Sequence, residues 1–153
     1  MSTTYSYSSS IEIACTPEQL FDFHTDHKNL GRITPDGIRV ETLYVEPTAV
    51  GSRIEMKVTQ FGFFTSRWTI VFVGYERPTY LADEMKNGPF SYWLQERRIS
   101  TTDNGSVLLD SVTYRLPFGI LGSIAHSLFV KKQIETMFRL RQQRTKELLE
   151  QKH

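Results

Sequence analysis

The feature that most constrains the fold is a long alternation of apolar and polar residues that ends in a helical pattern. From Ile38 to Leu116, apolar residues recur at every second position, which is the period of strands with one buried face. Turn-forming residues interrupt this stretch repeatedly, and after Pro117 the apolar spacing changes to three and four residues. The sequence therefore predicts a meander of antiparallel strands followed by one long amphipathic helix.

Seven strands are predicted, and short connections make consecutive strands of the meander antiparallel. The first strand, Tyr5–Ile13, alternates in the same way and precedes the meander. The pair Asn104-Gly105 predicts a type I′ hairpin before the last strand. The six strands of the meander are predicted near Ile38–Tyr44, Ser52–Phe61, Thr65–Val73, Leu81–Met85, Tyr92–Thr101 and Ser106–Leu116.

Two short helices are predicted between the first strand and the meander. Thr16 can cap the first helix, Pro17 suits its first turn and Gln19 completes a capping box. This helix ends near Asp26, and residues 27–33 form the second. The long C-terminal helix is marked by Leu121, Ile124, Ala125, Leu128, Ile134, Met137, Phe138, Leu148 and Leu149.

These elements assign residues 1–153 to a single α+β domain, a size that suits one hydrophobic core. The apolar face of the sheet needs a cover, and only the long C-terminal helix is large enough to provide it. The predicted architecture is a helix-grip fold, in which a seven-stranded curved antiparallel sheet surrounds that helix. A cavity for a ligand is expected between them.

The turns also predict which residues oppose each other and hence which side chains share a face. The Asn104-Gly105 turn sets Ile99 opposite Leu108. The same turn sets Gln95 opposite Val112, the Pro78 turn sets Phe72 near Leu81, and the Gly62 turn sets Met56 near Ile70. One face of the sheet is charged and is predicted to face solvent. The opposite, inner face collects Ile38, Val40, Tyr44, Ile54, Met56, Val58, Trp68, Ile70, Phe72, Leu81, Met85, Trp93, Val112 and Tyr114.

Four polar residues fall on this predicted inner face: Asp83, Gln95, Arg97 and Asp110. Ionised groups are rarely buried without partners, because removing each ion from water costs several kcal/mol. One interpretation is a structural Arg97–Asp110 pair with Asp83 and Gln95 hydrogen-bonded around it. The other is a polar anchor inside an otherwise apolar cavity, which is the usual composition of a small-molecule site.

Composition limits the classes of partner that the chain is expected to have. The formal net charge of +1 provides no general attraction to nucleic acid, and no nucleic-acid partner is expected. The single cysteine, Cys15, excludes an intramolecular disulfide and is expected to be a small core residue. The first residues lack the pattern of a secretory signal, and no segment is apolar enough for stable membrane insertion, so a cytoplasmic location is expected.

The histidines and the basic residues of the last helix are weaker indications of function. His24 and His27 lie near Asp26, but no third strong ligand is spaced to join the histidines, and neither a metal nor a cofactor is expected. His126 either faces the mouth of the cavity or is a surface or partly packed histidine. The late helix either has a solvated basic face or docks on anionic lipid through Lys131, Lys132, Arg139, Arg141, Arg144, Lys146 and Lys152.

Two segments carry a resemblance to a known superfamily. The first is Ile13–Phe21, with the sequence Ile-Ala-Cys-Thr-Pro-Glu-Gln-Leu-Phe. The second is Asp110–Gly119, which runs into the last helix. With the order of elements, they resemble the START-like, or SRPBCC, superfamily and its bacterial polyketide cyclase/dehydrase-like branch. Where relatives often carry Trp-x-His-x-His, this chain has Trp93, Gln95 and Arg97.

The resemblance implies a pocket between the sheet and the last helix, with a mouth near residues 88–92 and 117–122. The expected partner is a hydrophobic or amphipathic small molecule such as a lipid, a quinone or a polyketide. The residues expected to bind it are Tyr44, Met56, Val58, Trp68, Ile70, Phe72, Leu81, Asp83, Met85, Trp93, Gln95, Arg97, Asp110, Tyr114, Leu121, Ala125 and Leu128.

Two further functions remain open from the sequence. One is a cyclase, aromatase or dehydratase, for which Asp83, Asp110 and Tyr114 are candidates to move protons. Arg97 could only stabilise negative charge in such an enzyme, because its pKa is too high for proton transfer. The other is a protein-interaction module, with a weak homodimer or a protein partner, which no residue pattern selects.

Overall fold

The computed structural model describes residues 3–60 and 64–151. Seven strands form one antiparallel sheet in the spatial order β1-β7-β6-β5-β4-β3-β2, which confirms the predicted meander. The first strand pairs with the last and forms one edge of the sheet. The strands are β1 (Thr4–Ile13), β2 (Ile38–Val45), β3 (Arg53–Gln60), β4 (Phe64–Glu76), β5 (Tyr80–Asn87), β6 (Tyr92–Thr102) and β7 (Gly105–Arg115).

Two short helices follow β1, as predicted, and the chain ends in a long helical segment. The short helices are α1 (Pro17–Thr25) and α2 (Lys28–Ile33). The capping box of α1 is present: the Gln19 backbone N–H donates to Thr16 Oγ1 at 3.1 Å, and the Thr16 N–H donates to Gln19 Oε1 at 2.9 Å. The C-terminal segment comprises α3 (Gly119–Ala125), a π-helical turn (His126–Val130) and α4 (Lys131–Glu150).

The pairing of β6 with β7 matches the prediction, whereas the type of turn between them does not. Thr102 pairs with Gly105, so Asp103 and Asn104 occupy the centre of the turn. Neither central residue has a positive φ, so type I′ geometry is wrong. The predicted pairs are all found: Ile99–Leu108, Arg97–Asp110, Gln95–Val112 and Trp93–Tyr114.

The end of this hairpin needs a glycine because the backbone of the β1–α1 junction lies against it. Gly105 has φ +145°, and a Cβ there would lie 2.3 Å from the carbonyl oxygen of Ile13. The next residue, Ser106, donates from its hydroxyl to the carbonyl of Cys15 at 2.8 Å. Cys15 itself is partly buried and packs against the core.

Two other hairpins are displaced from the predicted register by two residues. Met56 pairs with Trp68 rather than Ile70, and Phe72 pairs with Asp83 rather than Leu81. The second displacement follows from the longer reach of β4, which extends to Glu76, and a bulge after Phe72 offsets part of it. The predicted Gly62 turn and the Phe61 end of β3, like His153, lie outside the described residues. A shift of two residues preserves the facing of every side chain, so these residues keep their inner face.

Tyr44 is the exception, and its predicted inward position is wrong. A β-bulge between Thr42 and Tyr44 inserts one residue, so Tyr44 opposes Glu55 on the outer face. Its hydroxyl donates to Glu46 at 3.0 Å, and the Arg53 guanidinium lies 5.0 Å from the ring centroid. Tyr44 is 42% exposed and therefore cannot line a cavity beneath the sheet.

The inner face of the sheet is covered by α4, as the sequence predicts. The buried side chains of α4 repeat at helical spacing: Ile134, Phe138, Gln142, Thr145 and Leu149. One core cluster joins Ile134 and Phe138 to the sheet, and a second surrounds α1. Among the described residues, no helix is long and apolar enough to cross a bilayer.

The start of the C-terminal segment does not cover the sheet as predicted. Leu121 is 71% exposed and Leu128 is 65% exposed, whereas Ala125 is partly buried. A π-helical turn follows α3 and changes the angular position of each later residue around the axis. The apolar spacing of α3 therefore does not continue in phase into the buried stripe that begins at Ile134.

Truncation of a core leucine on α1 should cost far more stability than the same change on the surface. Leu20 is fully buried, whereas Leu43 on β2 is 44% exposed. Leu20→Ala is expected to lower the free energy of unfolding by about 2–5 kcal/mol because it leaves a cavity. Leu43→Ala should lower it by roughly 0.5 kcal/mol or less. Urea unfolding measures both values, and similar losses would contradict the position of α1 in the core.

Candidate functional site

Two adjoining chambers lie between the sheet and the helices. The first, here called the polar chamber, has a volume of about 110 Å³ and is enclosed by α1, α2, α4 and the inner face of the sheet. The second, here called the apolar chamber, has a volume of about 640 Å³ and lies between residues 35–38, residues 89–90 and the helical residues 128–137. The walls of both chambers share Trp68, Trp93 and Met137.

Most of the predicted binding residues lie in these walls, but several do not. Val58, Leu81, Met85 and Tyr114 are buried core residues outside both walls. Leu121 and Ala125 also lie outside them, whereas Leu128 lines the apolar chamber. The polar chamber brings together Met56, Trp68, Ile70, Phe72, Asp83, Trp93, Gln95, Arg97 and Asp110, as the sequence predicts.

The partners of the polar residues differ from the predicted pair. Arg97 Nη1 donates to Asp83 Oδ2 at 2.8 Å, and both side chains are largely buried. Arg97 and Asp110 are cross-strand neighbours, yet Asp110 accepts a hydrogen bond from Gln142 Nε2 on α4 at 2.9 Å. The predicted Arg97–Asp110 ion pair is therefore wrong, because Arg97 reaches diagonally to β5 while α4 supplies a donor to Asp110.

Arg141 is a residue of the chamber wall that the sequence interpretation missed, because it was placed with the basic residues of the late helix. Its side chain lines the polar chamber and is partly buried. Burial, and next the charge of Arg97, lower its pKa to about 10, so it stays protonated at neutral pH. Its spacing from Phe138 and Thr145, three residues before it and four after it, is a helical signal that could have revealed its inward position.

The Nε of Arg141 has no hydrogen-bond acceptor among the residues that the structure describes. Burying such a donor without a partner is unfavourable, and the cost is larger for a charged group. No described carboxylate forms an ion pair with Arg141, although Asp110 and Asp83 favour its charge from a greater distance. The chamber therefore contains a cation whose hydrogen-bonding capacity the described protein does not use up.

His24 also lines the polar chamber, next to the two arginines. Its Nδ1–H donates to the carbonyl of Leu20 at 3.0 Å, which leaves Nε2 as the unprotonated nitrogen of the neutral ring. Burial, and next the charge of Arg97, lower the pKa of His24 to about 4. Its position four residues after Leu20 and three after Phe21, both buried, places it on the inward face of α1.

Tyr114 and His126 form a separate buried pair. Tyr114 Oη lies 2.6 Å from His126 Nε2, and the ring of Tyr5 stacks on His126 with 3.5 Å between centroids. Burial raises the pKa of Tyr114 to about 12 and lowers that of His126. Neither residue of the pair lines a chamber, so of the two alternatives for His126 the structure supports a packed histidine, 8% exposed, rather than one at the cavity mouth.

The histidines near α1 do not assemble into a metal centre. His27 and Asp26 share the wall of the polar chamber with His24. Within residues 3–60 and 64–151, no three side chains of His, Cys, Asp or Glu are grouped so that they could hold a metal ion.

Loss of Asp83 should destabilise the fold because it leaves the buried guanidinium of Arg97 without its partner. The pair is 13% and 8% exposed at its two side chains, in contrast to the exposed Arg77–Asp22 pair at 44% and 57%. Asp83→Ala is expected to cost about 3–5 kcal/mol in the free energy of unfolding. The matched Asp22→Ala should cost about 1 kcal/mol or less. Equal costs in denaturant unfolding would show that burial does not determine the strength of the inner pair.

The stability of the protein should fall between about pH 6.5 and pH 4 because of His24. The unfolded chain binds a proton at its ordinary pKa of 6.5, whereas the folded imidazole binds one only near pH 4. This group therefore contributes its full stability above pH 6.5, and about 3 kcal/mol is lost by pH 4. His24→Gln should remove this part of the pH dependence in urea unfolding. A variant with the slope of the parent protein would exclude His24 as its source.

Comparisons with known proteins agree with this architecture. A solved structure from Chromobacterium violaceum aligns with TM-score 0.77 at 11% identity, over 95% of this chain and 98% of that one. A norcoclaurine synthase point mutant from Thalictrum flavum aligns with TM-score 0.72 at 14% identity, over 99% and 97% of the two chains. Major latex-like protein 151 from Panax ginseng aligns with TM-score 0.71 at 12% identity, over 95% and 97%.

At these identities the structural likenesses establish the fold alone, whereas a family model matches the sequence itself. A comparison with curated proteins finds no significant match. The family model covers residues 13–141, from the end of β1 through most of α4, and it is described as polyketide cyclase / dehydrase and lipid transport. The chain belongs to this polyketide cyclase / dehydrase and lipid transport family, which has the helix-grip fold.

Proposed function

We propose that the protein binds a hydrophobic or amphipathic small molecule between the sheet and the C-terminal helix. The observation that carries this proposal is that the two chambers adjoin, with Trp68, Trp93 and Met137 in the walls of both. A molecule that passes these three residues would place an apolar body in one chamber and a polar end in the other. Lipids, quinones and polyketide-like compounds have this construction.

The size and lining of the apolar chamber support this proposal. Its volume of about 640 Å³ lies within the range of small-molecule sites, about 300–1,000 Å³. Aromatic side chains supply much of the wall: Trp68, Phe90, Trp93 and Phe129. Such side chains bury large apolar areas and stack on flat ligands. The lining therefore suits aromatic and aliphatic ligands alike.

An enzymatic alternative, a cyclase or dehydratase, is supported by the neutral imidazole of His24 beside two guanidinium groups. Arginine could polarise a carbonyl oxygen, and an unprotonated nitrogen could accept a proton. The lowered pKa of His24 makes it a weak base, however, which favours binding without turnover. If the protein binds its ligand without converting it, a molecule that co-purifies should keep its mass and chromatographic retention after incubation with the protein.

Binding should be visible in the fluorescence of the protein itself, because the only two tryptophans of the chain, Trp68 and Trp93, lie in the walls of both chambers. Titration with the neutral dye N-phenyl-1-naphthylamine should quench them and increase the emission of the dye. Val130→Phe, which adds bulk to the wall of the apolar chamber, should weaken binding roughly tenfold.

The matched control is Val73→Phe on β4, where the side chain is 43% exposed and lines neither chamber. This variant should bind the dye with an affinity within about twofold of the parent protein, because surface changes away from a site have small effects. Absence of dye binding by the parent protein, together with native mass spectra free of any co-purified molecule, would overturn the proposed function. Equal weakening by both variants would place the dye elsewhere.

A further inference from the structure

The polar chamber contains one cationic group that the protein does not pair. Arg97 is occupied by Asp83 at 2.8 Å, and Asp110 is occupied by Gln142 at 2.9 Å. Of the two arginines that line this chamber, Arg97 forms an ion pair and Arg141 forms none with the described residues. No described residue accepts a hydrogen bond from its Nε, so a molecule inside the chamber that offers oxygen acceptors to this guanidinium would be favoured.

The geometry points to an amphipathic monocarboxylic acid as the ligand, with its carboxylate on Arg141 and its apolar body in the apolar chamber. This inference rests on the proposed function. A guanidinium presents parallel N–H donors that match the two oxygens of a carboxylate, which makes the pair stronger than a bond to a neutral hydroxyl. The volume of the polar chamber, about 110 Å³, admits this small head group more readily than a phosphodiester head group.

The charges around the site are compatible with one added anion. Arg97 and Asp83 offset each other as an ion pair, and Gln142 binds the carboxylate of Asp110. His24 is neutral and lies in the same wall. A carboxylate that binds near Arg141 would favour protonation of His24, because an added negative charge stabilises the charged imidazole. Occupancy by an acid should therefore change His24, whereas occupancy by an alcohol of the same length should not.

The test compares sodium decanoate with 1-decanol at pH 7, each as a competitor of N-phenyl-1-naphthylamine. The parent protein should bind decanoate at least about tenfold more tightly than it binds decanol. Arg141→Met should lower the affinity for decanoate about 10- to 100-fold and leave that for decanol within about threefold. Arg139→Met, on the exposed side of the same helix, is the matched control and should leave both affinities unchanged.

A second measurement follows the imidazole signals of His24 by NMR during a pH titration. Decanoate should raise the pKa of His24 in the parent protein but not in Arg141→Met, and decanol should not change it. Dye and decanol binding without a preference for decanoate would overturn this inference and leave the proposed function standing. If neither dye, decanol nor decanoate binds, the proposed function fails and the inference fails with it.

Discussion

The structure depends on the burial of the concave face of one antiparallel sheet beneath a single helix. Ile134 and Phe138 of α4 pack into the core cluster formed by Trp93, Val112 and Tyr114 on the sheet. Removal of this apolar area from water is the main favourable contribution to the fold, and no other element is long enough to supply it. Because a straight helix cannot fill a curved surface completely, space remains near α1 and α2, and the polar chamber lies there.

The same helix that covers the sheet also brings polar groups into the interior. Gln142 and Thr145 belong to the buried stripe, and Arg141 lies at its edge. Burial of polar groups is tolerated when each has a partner, as Gln142 has in Asp110 and Thr145 has in the carbonyl of Arg141. The guanidinium of Arg141 departs from this pattern, and departures of this kind concentrate at functional sites.

Aromatic residues pack at two places in the interior, and Trp93 contacts both groups. Tyr114, Tyr5 and His126 pack on one another and close the interior near the start of the C-terminal segment. Trp68 and Trp93, by contrast, stand between the two chambers. One fold can serve different functions, so the helix-grip core by itself does not determine what these chambers contain.

The sequence determined the order of the elements, the two faces of the sheet and the positions of its inward polar residues. These properties are local, because alternation, capping residues and turns act over a few positions. The pairing of β6 with β7 was therefore correct, and Asp83, Gln95 and Arg97 fell on the inner face. Errors of two residues in other hairpins did no harm, because the facing of a strand repeats every second residue.

Only the tertiary structure decided which of these residues meet. Arg97 pairs with Asp83 across a diagonal of the sheet. Asp110 instead accepts a hydrogen bond from Gln142, which belongs to a distant part of the chain. The bulge before Tyr44 and the π-helical turn before α4 are local irregularities of the backbone. They change the direction of side chains that a regular period predicts to lie inside. Arg141 was assigned by packing alone, because its charge favours water and only the surrounding elements hold it in the interior.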